Sequence, residues 1–347
     1  MVHLKNTIID TFKLLIYKVQ RENPKGASFK IRAYSDVCKA FMLCDGQVHT
    51  IEEIEQVLLD YGMKNPKKTL EKIKEIIETG TLSTVNGLAF NTHIQALKYL
   101  TKVYGIGPKN ATKLYNEHGC FKVDQLKEAF LQNPSILNNK QKIGLHYFDD
   151  LEKKIPRREI DAYKQVLHDI VHEMKRTIPS IHFSINGSYR REKSESGDID
   201  ILITAKGDTS SIRKQFIDIL KDKNIIVETL ANGKKKFMGI SKLPHYSTHR
   251  HIDIIDTSLH EYPFAQLYFT GSGGFNAKMR NLALKKGYSL NEYRISYKTN
   301  KKPVDETEFM TKLGQFYCKT EKDIFRFLDI DYVEPKDRKD IILSKYI

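Results

Sequence analysis

At 347 residues the chain has room for two or more domains with real cores, which excludes a small scaffold held by disulfides or metal. A net charge of +14 and a pI near 9.3 favour a polyanionic partner. Cys38, Cys44, Cys120 and Cys318 form neither a CxxC pair nor a disulfide pattern, and no signal peptide or membrane-length apolar run appears; this argues against structural zinc and predicts a soluble intracellular protein.

The charge is uneven. Residues 1–90 hold 13 Lys+Arg against 11 Asp+Glu, so almost all of the excess lies beyond them. In that first part Leu4, Ile8, Phe12, Leu15, Ile16 and Val19 recur at helical spacing, which predicts a helix over 4–20. Further helices are expected over 32–43, 51–59 and 67–78, with Gly80 as a stop, making a compact helical domain. A helix over 91–104 should follow, then Gly105-Ile106-Gly107-Pro108-Lys109-Asn110-Ala111 opening another. Two glycines in a tight hairpin let backbone N–H groups point at a phosphate, so this reads as a helix-hairpin-helix. A plain packing corner between helices is the alternative.

After an amphipathic helix over 161–176, ended by Pro179, comes the most informative stretch, Phe183 to Thr204. Phe183-Ser184-Ile185 reads as a buried strand, Gly187-Ser188 breaks it, a polar basic loop follows, and 198–203 resumes strand character. Alternation puts Ile199, Ile201 and Ile203 on one face and Asp198 and Asp200 on the other, roughly 6.6 Å apart along the strand. That spacing lets two carboxylates share cations. Gly187 permits close approach of an anion, with Ser188, Arg190 and Arg191 as donors beside it. A helix over 211–220, a strand over 224–230 and a Lys234-Lys235-Lys236 hairpin tip are expected next. A further strand, His251 to Ile255, then supplies a third carboxylate, Asp253. Three acids beside a phosphate cradle are what metal-assisted phosphoryl transfer requires, so the stretch reads as a nucleotidyltransferase palm. His245, His249 and His251 cluster just before Asp253; because the acids already serve Mg²⁺, no zinc is expected there.

This pattern resembles the palm of the family X DNA polymerases, specifically those of the polymerase beta type. The similarity runs from Lys30 to Arg338 and includes Tyr268-Phe269-Thr270-Gly271-Ser272 and Glu334-Pro335-Lys336-Asp337-Arg338. The resemblance implies an α+β multidomain fold. It divides into a helical lyase-like domain (1–87), a helix-hairpin-helix subdomain (88–158), a mixed α/β palm (159–259) and a C-terminal α+β nucleotide-binding subdomain (260–347). It implies a template-directed, gap-filling polymerase of the base-excision repair type. Its partners would be gapped or nicked DNA, a template–primer duplex and dNTPs, and it would be a monomer with no membrane contact. It would lie in the nucleus of a eukaryotic cell, or in the cytoplasm if viral.

The resemblance also implies roles for single residues. Asp198, Asp200 and Asp253 would hold two Mg²⁺, with Mn²⁺ as a substitute. Arg157, Gly187, Ser188, Arg191, Ser196 and Gly197 would hold the triphosphate. Tyr268, Phe269 and Gly271 would close over the sugar, Asn276 would meet the base in the minor groove, and Arg280 the template strand. In the helix-hairpin-helix, Gly105, Gly107 and Lys109 would bind DNA, and the carbonyls of Thr101, Val103 and Ile106 a Na⁺ or K⁺ ion. Lys72 would form the Schiff base that removes a 5′-deoxyribose phosphate, with Lys30, Tyr34 and Lys68 on the phosphate.

The chain departs from the pattern in four places. The hairpin Tyr61-Gly62-Met63-Lys64-Asn65-Pro66 lacks a second glycine, and Thr81-Leu82-Ser83-Thr84 replaces basic residues, so a weaker lyase is expected. Gly273-Gly274 stands where the family has an aspartate and an aliphatic residue, which predicts a looser helix start. Ile255 replaces an arginine that pairs with the second catalytic aspartate in the open enzyme and, on closing, with a Glu–Tyr pair matched by Glu292 and Tyr293. Isoleucine makes neither bond, so the metal site should be partly preorganised. A template-independent nucleotidyltransferase and a DNA-end-binding scaffold with an inactive palm are the competing readings.

Overall fold

The computed structural model describes residues 3–22, 25–44, 48–61, 63, 65–85 and 92–338. Gly62 and Lys64 of the expected hairpin, Asn91 and the 87/88 boundary lie outside them. The chain forms two compact units, divided between Phe148 and Asp149.

The first unit is helical. α1 (His3–Glu22), α2 (Ala27–Leu43), α3 (Ile51–Asp60) and α4 (Lys67–Thr79) bury one apolar stripe each. Ile8, Phe12, Val37, Phe41, Ile54, Leu58, Leu70 and Ile73 meet in a single core. A reciprocal Thr50–Glu53 capping box starts α3, and Gly80, at φ +75°, ends α4 as expected. Beyond it the sequence that replaces basic residues does structural work: Leu82 and Val85 are buried, and Ser83 N–H donates to Glu75.

α5 (Thr92–Leu100), α6 (Pro108–His118), α7 (Val123–Gln132) and α8 (Asn139–His146) surround a second core of Leu97, Val103, Ile106, Leu114, Leu126 and Leu145. α5 stops four residues short of Tyr104. The chain must turn there because Gly105, at φ +84°, packs against the backbone of Gln141, whose Nε2 donates to Gly105 O at 3.2 Å. A single turn, α9 (Phe148–Leu151), spans the division between the units.

The second unit is built on a five-stranded sheet. Its strands are β2 (His182–Ile185), β4 (Ile199–Ala205), β5 (Ile226–Asn232), β6 (Lys236–Ser241) and β7 (Arg250–Ser258), in the order β2-β4-β7-β6-β5. β4 and β7 are parallel and the other pairs antiparallel. A two-stranded ladder, β1 (Ile155–Pro156) with β3 (Glu195–Ser196), flanks it. One sheet face carries Ile199, Ile201, Ile203, Ile252, Ile254 and Phe237. These pack against α10 (Arg157–Met174) and α12 (Thr209–Asp222) through Tyr163, Leu167, Phe216 and Leu220. α10 starts four residues earlier than its periodicity indicates, because Pro156 fits just before a helix and its extended φ and ψ launch the first turn. The expected boundary at 158/159 therefore falls inside that turn. The loop after Gly187 is also partly regular: α11 (Gly187–Arg190) is one helical turn.

The chain continues through α13 (Tyr262–Thr270), α14 (Gly273–Lys285), the hairpin β8 (Tyr288–Leu290) and β9 (Ile295–Tyr297), α15 (Glu306–Leu313) and α16 (Glu321–Phe327) around its own core of Phe275, Met279, Phe325 and Phe327. Ser272 caps α14 through Phe275 N, so the Gly273-Gly274 pair does not prevent a regular start. Among the described residues no helix is long and apolar enough to cross a membrane.

Candidate active site

The second sheet face carries the acids. Asp200 of β4 pairs in register with Asp253 of β7, and Asp198 lies just before β4, two residues from Asp200. Parallel pairing of these strands is what brings a third carboxylate beside the Asp-x-Asp. Asp253 is 5% exposed, and its Oδ1 accepts no hydrogen bond among the described residues. Burial, then the charges of Asp198 and Asp253, push Asp200 up to about 7, while Lys236 and Arg191 pull the other way. Crowded acids and an orphaned carboxylate oxygen describe a site short of positive charge. The donor set is oxygen-rich and suits a hard divalent cation. One donor atom each of Asp198, His251 and Asp253 lie within 4.8 Å of one another.

The turn before β4 is fitted to these acids. Gly187 has φ +57°, and a Cβ there would collide with the Asp200 carboxylate. Asn186 N–H donates to Asp200 O at 2.8 Å, which ties the turn to the strand. As in any first helical turn, the N–H groups of Gly187 and Ser188 have no acceptor within it. Arg157 donates to Tyr189 O at 2.8 Å and lies over its ring at 4.3 Å, so it braces the same turn. Ser196 is buried opposite Ile155 in the β1–β3 ladder, and Gly197 is exposed beside Lys154.

Two arginines follow, with different duties. Arg191 donates to Thr270 O at 2.5 Å while lying near enough to Asp200 and Asp198 to feel their charge. Arg190, expected beside the anion, is instead drawn away: it bonds Thr270 Oγ1 at 2.6 Å and both oxygens of Glu321, at 3.1 and 3.0 Å. Glu321 also accepts from Arg338 at 2.6 Å and from Tyr332 at 3.0 Å. Arg338 is fully buried among Phe275, Phe325 and Tyr332. The network was invisible in the sequence because Arg190 lies 131 residues from Glu321, the acid at its centre.

Ile255 sits on the acidic face, two register pairs beyond Asp253. It packs with Leu202 and Ala265, against Tyr262 and Phe269 of α13. α13 is further held by Tyr262 O–H, which donates to Ser184 Oγ at 3.0 Å. The helix therefore sets Phe269 against the acids' sheet, with the Tyr268 ring edge to face against it at 5.0 Å. Gly271 ends it at φ +65° with Arg191 3.2 Å from where a Cβ would be. Asn276 donates to Tyr268 O at 2.6 Å, and Arg280 stacks on the Tyr268 ring at 5.0 Å.

Lys236, expected in a solvated hairpin tip, is the first residue of β6, and its Nζ pairs with Asp253 Oδ2. The preceding turn is clamped by Arg213, which is 2.7 Å from buried Asp256 and donates to the carbonyls of Gly233 and Lys234. The three histidines are dispersed. His249 bonds Asp150 at 2.8 Å, His245 lies in a left-handed turn at φ +68°, and only His251 faces the acids.

In the first unit, Lys68 and Lys72 stand one turn apart on α4, Lys72 half-buried and near Glu75. Lys30 and Tyr34 stand one turn apart on α2, with Tyr34 edge to face against Phe12. Gly107 precedes Pro108 at the start of α6, Lys109 is exposed beside it, the side chains of Val103 and Ile106 are buried, and Ile106 N–H donates to Val103 O at 3.0 Å. Thr101 Oγ1 is turned back to Leu97 O.

Comparison with known proteins accords with this architecture. A family model of the DNA polymerase beta palm matches residues 154–258, one of the DNA polymerase beta thumb matches 265–339, and one of the fingers domain of DNA polymerase lambda matches 98–152. DNA polymerase lambda of Arabidopsis thaliana is 30% identical over 300 residues, 83% of this chain and 54% of the relative. DNA polymerase lambda of Rattus norvegicus is 30% identical over 281 residues, 78% of this chain and 47% of the relative. The chain thus spans about half the length of these relatives. With fingers, palm and thumb models matched in turn along the chain, a relative 30% identical over 83% of it and the three acids gathered at the palm sheet, the chain belongs to the family X DNA polymerases.

Proposed function

We propose that the chain is a template-directed DNA polymerase that fills short gaps, adding dNTPs to a primer 3′-OH in DNA repair. The observation that carries this reading is the convergence of Asp198, Asp200 and Asp253 on one sheet face, beside a glycine turn that no other residue can form without striking Asp200. Asp198 and Asp200 would hold two Mg²⁺ ions and Asp253 would complete one of them, with Mn²⁺ as a substitute. Cations bound there would supply the positive charge that offsets negative charge developing in the reaction.

The protein's own groups do the rest. The primer 3′-oxygen forms a bond to the α-phosphorus, the α–β bridging bond breaks, and pyrophosphate leaves with the electron pair. Asp253 would take the hydroxyl proton. Arg191, Ser188, Ser196, Gly197 and the Gly187 turn line the side where negative charge grows on pyrophosphate, with Arg157 bracing that turn. Tyr268, Phe269 and Gly271 close on the sugar; Asn276 and Arg280 meet the base and the template. Gly105, Gly107 and Lys109 hold the DNA backbone, with Na⁺ or K⁺ on the carbonyls of Thr101, Val103 and Ile106. Gly105 supports this reading, since its left-handed backbone is what the hairpin requires.

The same proposal gives the first unit a lyase. The Lys72 amine adds to the sugar aldehyde with loss of water, the imine loses a proton from its α carbon as the phosphate leaves the β carbon with the bonding electrons, and water then hydrolyses the imine to free the lysine. Lys30, Tyr34 and Lys68 would hold the 5′-phosphate. The Glu75–Ser83 contact supports a weaker grip, because structural residues occupy the segment where basic ones are absent.

Filling of a single-nucleotide gap, with and without Mg²⁺, tests the proposal. Insertion should require Mg²⁺ and template, prefer dNTPs over NTPs, and vanish in Asp253→Ala while DNA binding persists. Untemplated addition at equal rate would favour a tailing enzyme, and no insertion under any cation a DNA-end-binding scaffold.

A further inference from the structure

We infer that His251 is a nitrogen ligand of the cation that Asp253 completes, so that this metal site is not built from oxygens alone. The inference rests on the metal-dependent reading of the acids and adds a residue to it.

His251 and Asp253 are two residues apart on β7 and so share a face. The first parallel pair is Ile199 with Ile252, and one step back along both strands brings Asp198 level with His251. One donor atom from each of Asp198, His251 and Asp253 falls within a 4.8 Å group. His251 Nδ1 lies 3.6 Å from Asp253 Oδ1. That is too long for a hydrogen bond. It suits two donors on one ion, since ligands held at about 2.1 Å stand roughly 3.0–3.6 Å apart.

Asp253 divides its two oxygens. Oδ2 is matched by Lys236, whereas Oδ1 is buried and accepts no hydrogen bond among the described residues. The unsatisfied oxygen is the one that faces His251. A cation between them satisfies it without displacing Lys236. The other two histidines of the run do not compete, because His249 is engaged by Asp150 and His245 sits in the turn before it.

The chemistry follows from the donor. Mg²⁺ is a hard cation that takes oxygen ligands, whereas imidazole suits borderline transition ions. His251 should therefore tilt the site toward Mn²⁺ relative to Mg²⁺.

The test uses the full chain without DNA and Mn²⁺ as the probe. Bound Mn²⁺ should show ¹⁴N modulation in electron spin echo spectra, and His251→Ala should remove it. Mn²⁺ affinity should fall about tenfold or more in His251→Ala, the scale of losing a contact that fixes a metal ligand, while Mg²⁺ affinity changes less than twofold. His251→Gln, closer in shape, should also lose the nitrogen signal and guards against a folding defect in the alanine variant. Asp253→Asn separates the two layers. If it loses Mn²⁺ while His251→Ala retains affinity and signal, the ligand assignment is overturned and the acidic site stands. If Asp253→Asn also leaves Mn²⁺ binding unchanged, both are overturned.

Discussion

Gly187→Ala separates a backbone effect from a catalytic one. Gly187 is left-handed, and holding alanine there costs about 1–2 kcal/mol. In a domain of this size each kcal/mol lowers Tm by about 2–4 °C, so the strain alone predicts a fall of about 2–8 °C. The new methyl group also meets the Asp200 carboxylate. Asn186 N–H to Asp200 O holds the backbone, so the side chain of Asp200 must turn away. A displacement of about 1 Å at a reacting centre costs on the order of 10²-fold in rate. Gly207→Ala is the control, since Gly207 is also left-handed, at φ +93°, but nothing lies within 4 Å of an added Cβ. Thermal melts should show a comparable loss for both variants. Single-turnover gap filling should fall about a hundredfold only in Gly187→Ala. Activity within threefold of the parent would refute the argument that Asp200 must occupy the space above Gly187.

Three further outcomes are expected. In Ile255→Arg the new guanidinium can reach Asp200, which lies two residues along the same face, so correct insertion should slow and its Mg²⁺ requirement rise; faster insertion with an unchanged requirement, measured by rapid quench against Ile255→Met, would reject this. Borohydride should trap a covalent adduct between the protein and an incised abasic substrate, and Lys72→Ala should lose most of it; undiminished trapping would mean that another amine reacts. Burial raises Glu321, but Arg338 and Arg190 outweigh it and hold its carboxyl below the usual range. Its contribution is therefore fully present above the unfolded carboxylate range, about pH 4.3, and is lost as pH falls through the lower folded value. Glu321→Gln leaves two arginines without their acid, which costs about 3–5 kcal/mol for a buried pair; thermal melts from pH 7 to pH 3 should show the parent converging on the variant, and parallel curves would exclude this role.

The sequence by itself determined what depends on local pattern. Alternation along 198–203 assigned the isoleucines to one face and the aspartates to the other, and the core packing and β4–β7 pairing bear this out. Gly80 ended its helix and Gly105 marked the hairpin turn, because a left-handed backbone favours that residue. Three decisions belonged to tertiary structure. Arg190 and Arg191 are adjacent and chemically alike, yet one is bound by Glu321 from 131 residues away and the other remains beside the acids. Lys236 looked like one lysine of a solvated tip until strand pairing and the Arg213 clamp carried it to Asp253. His251 was one of three similar histidines, and only the register of β7 against β4 set it apart. A linear pattern records which groups a segment can offer; which of them meet is decided by strand register and by partners distant in the chain.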